Sequence, residues 1–234
     1  MNWMGKSRPG VTGTATAVSR PGATAIATNA NLKARTSNGL KEFLWLLSDV
    51  PRARVLDLGP VWQATVNFFL EKGFRISTED LLGTWKDFVS SEEERMRTAP
   101  LDADGYIERV SASALAQKFL ETALEYPAES VHGVLAWDLL DYFDPAVSAP
   151  IMDRLFSILH PGGAVLALFH SRAPQRYHRY RIADMQTIEL VDASTLAVHA
   201  RVFQNREILE LFEKFRSSKT FVGRDQVREG LFLK

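Results

Sequence analysis

Acidic side chains follow three predicted strands at the point where each strand ends. The strand-end residues that could bind a ligand are Asp57, Gly59, Glu79, Asp80, Trp137 and Asp138. Carboxylates accept hydrogen bonds from hydroxyl and ammonium groups, and open parallel sheets bind ligands at the carboxyl ends of their strands. Asp80 lies 23 positions after Asp57, close to the ~20-residue spacing at which a carboxylate binds the ribose of a nucleotide. The pattern therefore predicts a cofactor site at this edge of a sheet.

The turn after the first of these strands lacks the glycines of a phosphate-binding loop. Pro60, Val61, Trp62 and Gln63 occupy it instead. Proline has no backbone N–H to donate, and Trp62 adds bulk where a ligand would pass. Gln63 and Thr65 carry side chains that can donate hydrogen bonds in compensation. Two interpretations remain open: the site binds its ligand in an altered way, or it no longer binds it.

Strands and helices that would position these residues alternate from Asn38 onward. Short apolar runs predict strands at 54–58, 74–78, 106–110, 131–137 and 164–170. Apolar residues at helical spacing predict helices at 40–47, 62–72, 112–126, 145–160 and 205–215, with a turn at 161–163. Strands at 220–223 and 230–234 add an antiparallel pair at the C-terminus. The predicted fold is α/β: a Rossmann-like doubly wound sheet, mostly parallel, with helices on both faces.

One segment interrupts this alternation. At about 171–203 the chain contains Arg, Tyr and His clusters and two β-like runs, 187–191 and 196–202. These runs predict a β-hairpin inserted into the domain.

Composition narrows the classes of protein and site. The chain has 234 residues, no net charge and no cysteine, which excludes disulfides, thiolate metal sites and a cysteine nucleophile. Its histidines are scattered, so no metal site is predicted. No apolar run approaches the ~18 residues of a membrane span, and we expect a cytoplasmic protein.

The N-terminal segment differs from the rest of the chain. Residues 1–36 are rich in Thr, Ala and Ser and contain five basic side chains but no acidic one. This composition predicts a disordered basic tail, which could contact an acidic partner. The remaining segment, 37–234, carries a net charge of −5 and gives no reason to expect a nucleic-acid-binding surface.

The strand-end motifs resemble those of the class I S-adenosylmethionine-dependent methyltransferases. Residues 55–59 (VLDLG) resemble the family's first motif, and residues 73–80 (GFRISTED) resemble its second strand with the ribose-binding acid. Residues 134–142 (VLAWDLLDY) resemble the fourth strand and its turn, and residues 159–166 (LHPGGAVL) resemble the turn into the fifth. Order and spacing match from about Asn38 to the C-terminus. The glycine-poor first motif is the departure from the family pattern.

The resemblance implies that 37–234 is a methyltransferase-like domain that binds S-adenosylmethionine. The implied cofactor-binding residues are Asp57, Gly59, Pro60, Trp62, Glu79, Asp80, Trp137 and Asp138. Asp57 would lie near the methionine part, or would only cap the next helix. Asp80 would bind the ribose, with Glu79 as the alternative acid. Trp137 would offer an aromatic face to the sulfonium or the adenine, or would only form a pocket wall.

The methyl acceptor would meet the segment after the fifth strand. His170 ends that strand and is the candidate general base, with a hydrogen-bonded structural role as the alternative. Arg176, Tyr177 and His178 are the candidate acceptor-binding residues, or they form a solvated surface. Two functions follow: a methyltransferase acting on an unidentified small-molecule or protein acceptor, or a catalytically inactive methyltransferase-like domain used as an interaction or regulatory module.

Overall fold

The computed structural model describes residues 33–98, 110–193, 200–223 and 225–234. The strands are β1 (Lys33–Thr36), β2 (Arg54–Asp57), β3 (Arg75–Thr78), β4 (Val131–Trp137), β5 (Leu159–His170), β6 (Tyr177–Ile182), β7 (Thr187–Ala193), β8 (Ser217–Val222) and β9 (Val227–Leu233). The helices are α1 (Asn38–Ser48), α2 (Gln63–Glu71), α3 (Leu81–Thr98), α4 (Ala112–Phe119), α5 (Pro145–Ile158) and α6 (Asn205–Leu211), with a 3₁₀ helix at Leu139–Tyr142. Residues 1–32 of the predicted tail, and all but Val110 of the strand predicted at 106–110, lie outside these ranges.

Six strands form the main sheet in the order β3-β2-β4-β5-β9-β8. Strands β2 to β5 pair in parallel, whereas β9 runs antiparallel to both β5 and β8. The chain passes from β2 to β3 on one side and later to β4 on the other side of β2, so the topological switch point lies between β2 and β4. A reversal of this kind opens a crevice at the carboxyl ends of the strands. The predicted Rossmann-like, doubly wound α/β sheet is confirmed.

Helices cover both faces of the main sheet because successive strand residues point to opposite sides. In β4, Val134 and Ala136 pack into a core with α3, α4 and α5. Leu135 and Trp137 pack into a second core with α1, α2 and part of β6. Trp137 therefore faces the side of the sheet on which α2 and β6 lie.

A second, three-stranded sheet has the order β1-β7-β6, and its strands are antiparallel. A hairpin lies within the segment expected to contain one, but one of its strands is not among the two runs expected from the sequence. Thr187–Ala193 pairs with Tyr177–Ile182 rather than with the run at 196–202. Residues 194–199 lie outside the described ranges, and Arg201 and Val202 have an irregular backbone.

The domain begins earlier than predicted. Residues 33–36, assigned to the tail, form β1 and pair with β7 from Thr187 to Leu190. A buried carboxylate of β9 explains why this short segment is ordered. Glu229 accepts hydrogen bonds from Arg35 Nη2 at 2.7 Å, from Ser37 Oγ at 3.0 Å and from the Gly39 N–H at 2.6 Å. Residues 33–36, which the prediction placed in the tail, therefore form part of a described sheet.

Several predicted elements differ in length from the observed ones, and two of these differences involve residues with positive φ. The helix predicted at 112–126 ends at Phe119. It could not extend to residue 126, because Leu124 has φ +56°, which a helix does not contain. The turn predicted at 161–163 lies inside β5 as an irregularity, where Gly162 has φ +84° and its N–H bonds to the Lys234 carbonyl at 2.9 Å. Glycine adopts this conformation without a steric penalty.

Candidate functional site

The strand ends and the hairpin together enclose a narrow space. We name it the strand-end crevice; it is lined by Leu58, Gly59, Pro60, Leu82, Trp137, Asp138, Leu139, Tyr177, His178, Arg179 and Tyr180. The structure thus brings together six of the predicted residues at the ends of β2 and β4 and at the start of β6. The volume open to the centre of a water-sized sphere is about 10 Å³, close to the minimum for a single water molecule.

Asp57 orders the turn at the end of β2. Its side chain is 1% exposed, and Oδ1 accepts hydrogen bonds from Trp137 Nε1 at 2.6 Å and from the Gly59 N–H at 3.0 Å. Burial raises its pKa to about 6, although these two hydrogen bonds oppose the rise. Since α2 begins only at Gln63, Asp57 does not cap that helix; it ties the turn to the end of β4.

Trp137 closes the crevice from the side of β4. Its φ is +48°, in a region that large side chains rarely occupy and that costs roughly 1–3 kcal/mol. In this conformation its indole stacks on Tyr180, with ring centroids 5.5 Å apart and an interplanar angle of 8°. The aromatic face that could have met a sulfonium or an adenine is covered by a ring of the same chain.

Asp138 lies within hydrogen-bond distance of three side chains. Its Oδ2 lies 2.9 Å from His170 Nε2, 2.9 Å from Tyr180 Oη and 3.3 Å from Tyr142 Oη. Burial alone would lower the pKa of His170, but the hydrogen bond and charge of Asp138 more than offset that effect, and the net pKa is raised. The predicted base is therefore one half of a buried Asp–His pair.

Asp141 adds a second buried carboxylate beside this pair. It is fully buried, and Oδ2 accepts a hydrogen bond from the His170 backbone N–H at 2.7 Å. Burial raises its pKa to about 7, with a further contribution from the charge of Asp138. Its Oδ1 has no hydrogen-bond partner among the described residues. Asp141 fixes the 3₁₀ helix to the end of β5.

Glu79 and Asp80 lie at the end of β3, outside the lining of the strand-end crevice. Glu79 Oε1 accepts a hydrogen bond from the Leu124 N–H at 3.0 Å. Asp80 Oδ1 accepts one from the Gly83 N–H at 3.0 Å, in the first turn of α3. Asp80 therefore acts as a helix cap, and Glu79 anchors the chain after α4.

The divergent loop residues separate into two environments. Pro60 lines the crevice. Trp62 lies outside it, with the Arg181 guanidinium 5.9 Å from its ring centroid. Its Nε1 is buried and has no hydrogen-bond partner within the described ranges. Thr65, in α2, accepts a hydrogen bond from the Ile182 N–H at 3.0 Å. The loop and α2 thus support β6.

The three predicted acceptor-binding residues lie on β6 or just before it. Arg176 Nη1 forms an ion pair with Asp192 Oδ2 at 3.0 Å, and His178 Nε2 lies 3.2 Å from Asp192 Oδ1. Tyr177 packs edge-on against Tyr142 and lines the crevice. Burial lowers the pKa of His178, although the charge of Asp192 opposes this effect.

The side chains at the strand ends have the chemical groups that S-adenosylmethionine needs, but the crevice is too small for it in this conformation. Carboxylates at the strand ends suit its hydroxyl and ammonium groups, and an indole suits its sulfonium. Pockets for molecules of this class have volumes of roughly 300–1,000 Å³, whereas the crevice is nearly filled. In this conformation the stacked rings of Trp137 and Tyr180 leave too little space for a molecule of that size.

Several residues of the site were not identified from sequence as its components. Tyr142 and Tyr180 donate to Asp138, and Asp141 holds the end of β5. Tyr180 belongs to a recognisable Arg/Tyr/His cluster, but its stacking partner depends on the hairpin register. The sequence did not indicate a role for Lys33 and Arg35, because a four-residue strand in a polar segment shows no alternation of apolar and polar residues.

The arrangement of the motifs decides the fold type. Each of the four sequence motifs lies on the strand or turn that the resemblance assigns to it, around the switch point of a parallel sheet that ends in an antiparallel pair. The chain has the fold of a class I methyltransferase.

Comparisons with known proteins return methyltransferases among solved structures. No family model and no curated protein matches the sequence. The chain is similar to 1,6-didemethyltoxoflavin-N1-methyltransferase from Burkholderia thailandensis, with 18% identity, a TM-score of 0.42, and coverage of 85% of this chain and 79% of that chain. It is also similar to an S-adenosylmethionine-dependent methyltransferase from Archaeoglobus fulgidus, at 11% identity and a TM-score of 0.44, covering 83% and 91%. A third, from Mesorhizobium loti, has 15% identity and a TM-score of 0.41, covering 83% and 98%.

Two further properties concern the described residues alone. They contain no group of three or more His, Asp or Glu side chains that could hold a metal ion. Within the same ranges, every helix is too short or too polar to cross a bilayer.

Proposed function

We propose that this methyltransferase-fold chain is an S-adenosylmethionine-dependent methyltransferase acting on an unidentified small-molecule or protein acceptor. The observation that carries the proposal is the concentration of acidic groups around the switch point. Asp57, Asp138 and Asp141 are 1%, 2% and 0% exposed, and Asp80 follows the neighbouring strand. Burying carboxylates costs free energy, and buried groups with shifted pKa values gather at functional sites. The strained backbone of Trp137 at the same place also supports a functional site.

Each residue has a task in this proposal. The cofactor would supply a methyl group on a cationic sulfur. Asp80, or Glu79, would accept hydrogen bonds from its ribose, and Asp57 would hold the turn beside its methionine part. His170 would take a proton from the acceptor at a pH above its raised pKa, with Asp138 fixing the imidazole by the 2.9 Å hydrogen bond.

Calorimetry with S-adenosylmethionine and S-adenosylhomocysteine tests cofactor binding. We expect weak binding to the wild-type chain and about fivefold tighter binding to Tyr180→Ala, because the variant removes the ring that fills the crevice and an aromatic pair is worth about 1 kcal/mol. Phe156→Ala, which removes an aromatic contact with Phe215 near the amino end of β5, is the control and should bind like the wild type. Absence of binding to both wild type and Tyr180→Ala at millimolar cofactor would contradict the proposal.

Asp80→Asn separates the ribose role from the capping role. Asparagine caps a helix about as well as aspartate, so the variant should keep its stability. It loses the negative charge, and we expect at least tenfold weaker cofactor binding. Unchanged affinity would remove Asp80 from the proposed site.

A specific observation favours a second candidate, the catalytically inactive interaction or regulatory module. Tyr180 and Trp137 fill the crevice, and the strand-end carboxylates are already hydrogen-bonded within the chain. In this candidate the basic N-terminal segment contacts an acidic partner. A chain that binds no cofactor even after Tyr180→Ala, yet remains folded, would support this candidate.

A further inference from the structure

A second cavity lies beside the strand-end crevice, between β1, the end of β5 and the segment that leads into β6. We name it the basic pocket; its basic lining residues are Lys33, Arg35, His170, Arg172, Arg176 and His178. Its volume is about 630 Å³, within the range of pockets that hold small molecules. It is therefore large enough for an organic ligand in the described conformation.

The charges around the basic pocket do not balance. Arg35 is neutralised by Asp225 at 3.1 Å and Glu229 at 2.7 Å. Arg176 is paired with Asp192 at 3.0 Å. Among the described residues, Lys33 and Arg172 have no ion-pair partner. Lys33 and Arg172 are thus available to an anion, and the charged groups named here carry a net charge of +1.

His178 adds an unsatisfied polar atom to this wall. Its Nδ1 is buried and has no hydrogen-bond partner in the part of the chain that the structure describes. Its other ring nitrogen, Nε2, lies 3.2 Å from Asp192 Oδ1. A buried polar atom without a partner costs free energy.

Apolar side chains complete the lining. Ala34, Pro174, Leu190 and Val227 lie between the basic groups. This combination suits a molecule with an apolar body and one charged end, as in most small-molecule sites.

We propose that the basic pocket binds a small organic anion whose carboxylate or phosphate group contacts Lys33 and Arg172. Guanidinium and ammonium groups bind such oxyanions through charge-assisted hydrogen bonds. The apolar body of the ligand packs against Pro174, Leu190 and Val227. His170 lines the basic pocket and is hydrogen-bonded to Asp138 of the crevice, so this ligand would be the methyl acceptor if the proposed function is correct. Binding of an anion in the pocket does not depend on the proposed function.

Ligand-observed NMR on the full chain, without S-adenosylmethionine, tests the proposal. The probes are benzoate, phenyl phosphate and the uncharged benzamide. We expect benzoate, phenyl phosphate or both to bind, with affinity at least tenfold higher than benzamide; the tighter of the two identifies the anionic group. Equal affinity for benzamide, or no binding of either anion at millimolar concentration, would overturn the proposal.

Matched charge-removing variants locate the binding site. Lys33→Gln and Arg172→Gln should each weaken binding of the preferred anion about tenfold, the effect of one charge-assisted hydrogen bond. Arg206→Gln removes the same charge from a fully exposed helical position that is paired with Glu210 and should leave the affinity unchanged. A folded Arg172→Gln chain that binds as tightly as Arg206→Gln refutes the assignment. Because no cofactor is present, this result is independent of the calorimetric test of methyl transfer.

Discussion

Trp137 combines a strained backbone with two contacts that stabilise the strand-end crevice. Its φ of +48° is unfavourable for a large residue, whereas its indole donates to Asp57 and stacks on Tyr180. These contacts offset the strain. The indole N–H is thus a hydrogen-bond donor to a carboxylate that has almost no exposure to water.

Trp137→Phe should therefore destabilise the fold by about 1–3 kcal/mol, because it keeps an aromatic ring but removes a donor from buried Asp57. Urea unfolding at neutral pH measures the change. Trp45→Phe, at a position that is 66% exposed, should change the free energy of unfolding by less than about 0.5 kcal/mol. Equal stability of Trp137→Phe and wild type would show that Asp57 finds another donor.

The buried carboxylates also predict how stability depends on pH. The pKa values of Asp57 and Asp141 are raised from 3.8 to about 6 and about 7. The folded state therefore binds these protons more tightly than the unfolded state does. The free energy of unfolding should fall as pH rises from about 4 to about 7, by at most about 1.4 kcal/mol per pH unit for each group.

Asp141→Asn tests the contribution of one group to this dependence. The variant keeps an acceptor for the His170 N–H and cannot ionise, so the fall in stability between about pH 5 and 7 should be reduced. Denaturant midpoints measured across this range give the comparison. Asp87→Asn, on the exposed side of α3, is the control and should follow the wild-type curve. A wild-type pH dependence in Asp141→Asn would contradict the assignment.

Sequence alone predicted that four of the strand-end residues meet, but it also placed Glu79 and Asp80 with them and did not predict what the four contact. Asp57, Gly59, Trp137 and Asp138 come together because parallel strands end at one edge, a rule that needs only the strand assignments. The ring that covers Trp137 comes from Tyr180, about forty residues further on. Its placement depends on the pairing register of the hairpin, which local periodicity does not encode.

At the scale of elements, β1 pairs with β7, and its Arg35 donates a hydrogen bond to Glu229 of β9. The pair Arg35–Glu229 has side-chain exposures of 6% and 3%. Removing one member of a buried pair leaves the other charge without compensation. This pair therefore joins the small sheet to the main sheet.

Glu229→Ala should cost about 3–5 kcal/mol of stability and should increase hydrogen exchange in β1 and β7. Asp153→Ala breaks an exposed ion pair with Lys214 and should cost less than about 1 kcal/mol. Urea unfolding and exchange followed by mass spectrometry provide the two measurements. A loss of stability without increased exchange in β1 would contradict the anchoring role of Glu229.

The strand β1 itself was not predictable from the sequence. It has four residues, in a polar segment without a clear alternation, and its partner β7 lies about 150 residues away. Its stability comes from these remote contacts rather than from local propensity. Strands β2 and β4 of the main sheet, by contrast, have buried apolar residues on both faces. The bounds of β2, β3 and β4 were predicted within about one residue.

At the scale of the whole molecule, the helical layers approach the sheet closely at Gly133. A Cβ atom at this position would lie 2.5 Å from Phe43 Cζ and 2.6 Å from Leu47 Cδ1 of α1. The distance between the α1 layer and β4 thus depends on the absence of a side chain. The sequence predicted both α1 and β4, whereas the distance between them depends on how their side chains pack in the core.

Gly133→Ala should therefore destabilise the fold by about 1–3 kcal/mol through overpacking. Adding Leu47→Ala to it creates space and should cost less than the sum of the two single variants. Urea unfolding of the four chains gives the coupling. Additive effects would indicate that α1 shifts freely away from the sheet.

His178 lines both the strand-end crevice and the basic pocket. One imidazole is therefore a shared wall, and a molecule that displaces it from one side alters the space on the other. If occupancy of the pocket changes the affinity of the crevice by some factor, thermodynamic linkage requires the reverse effect to be equal. Two ligands of this chain would then change each other's affinity without being in contact.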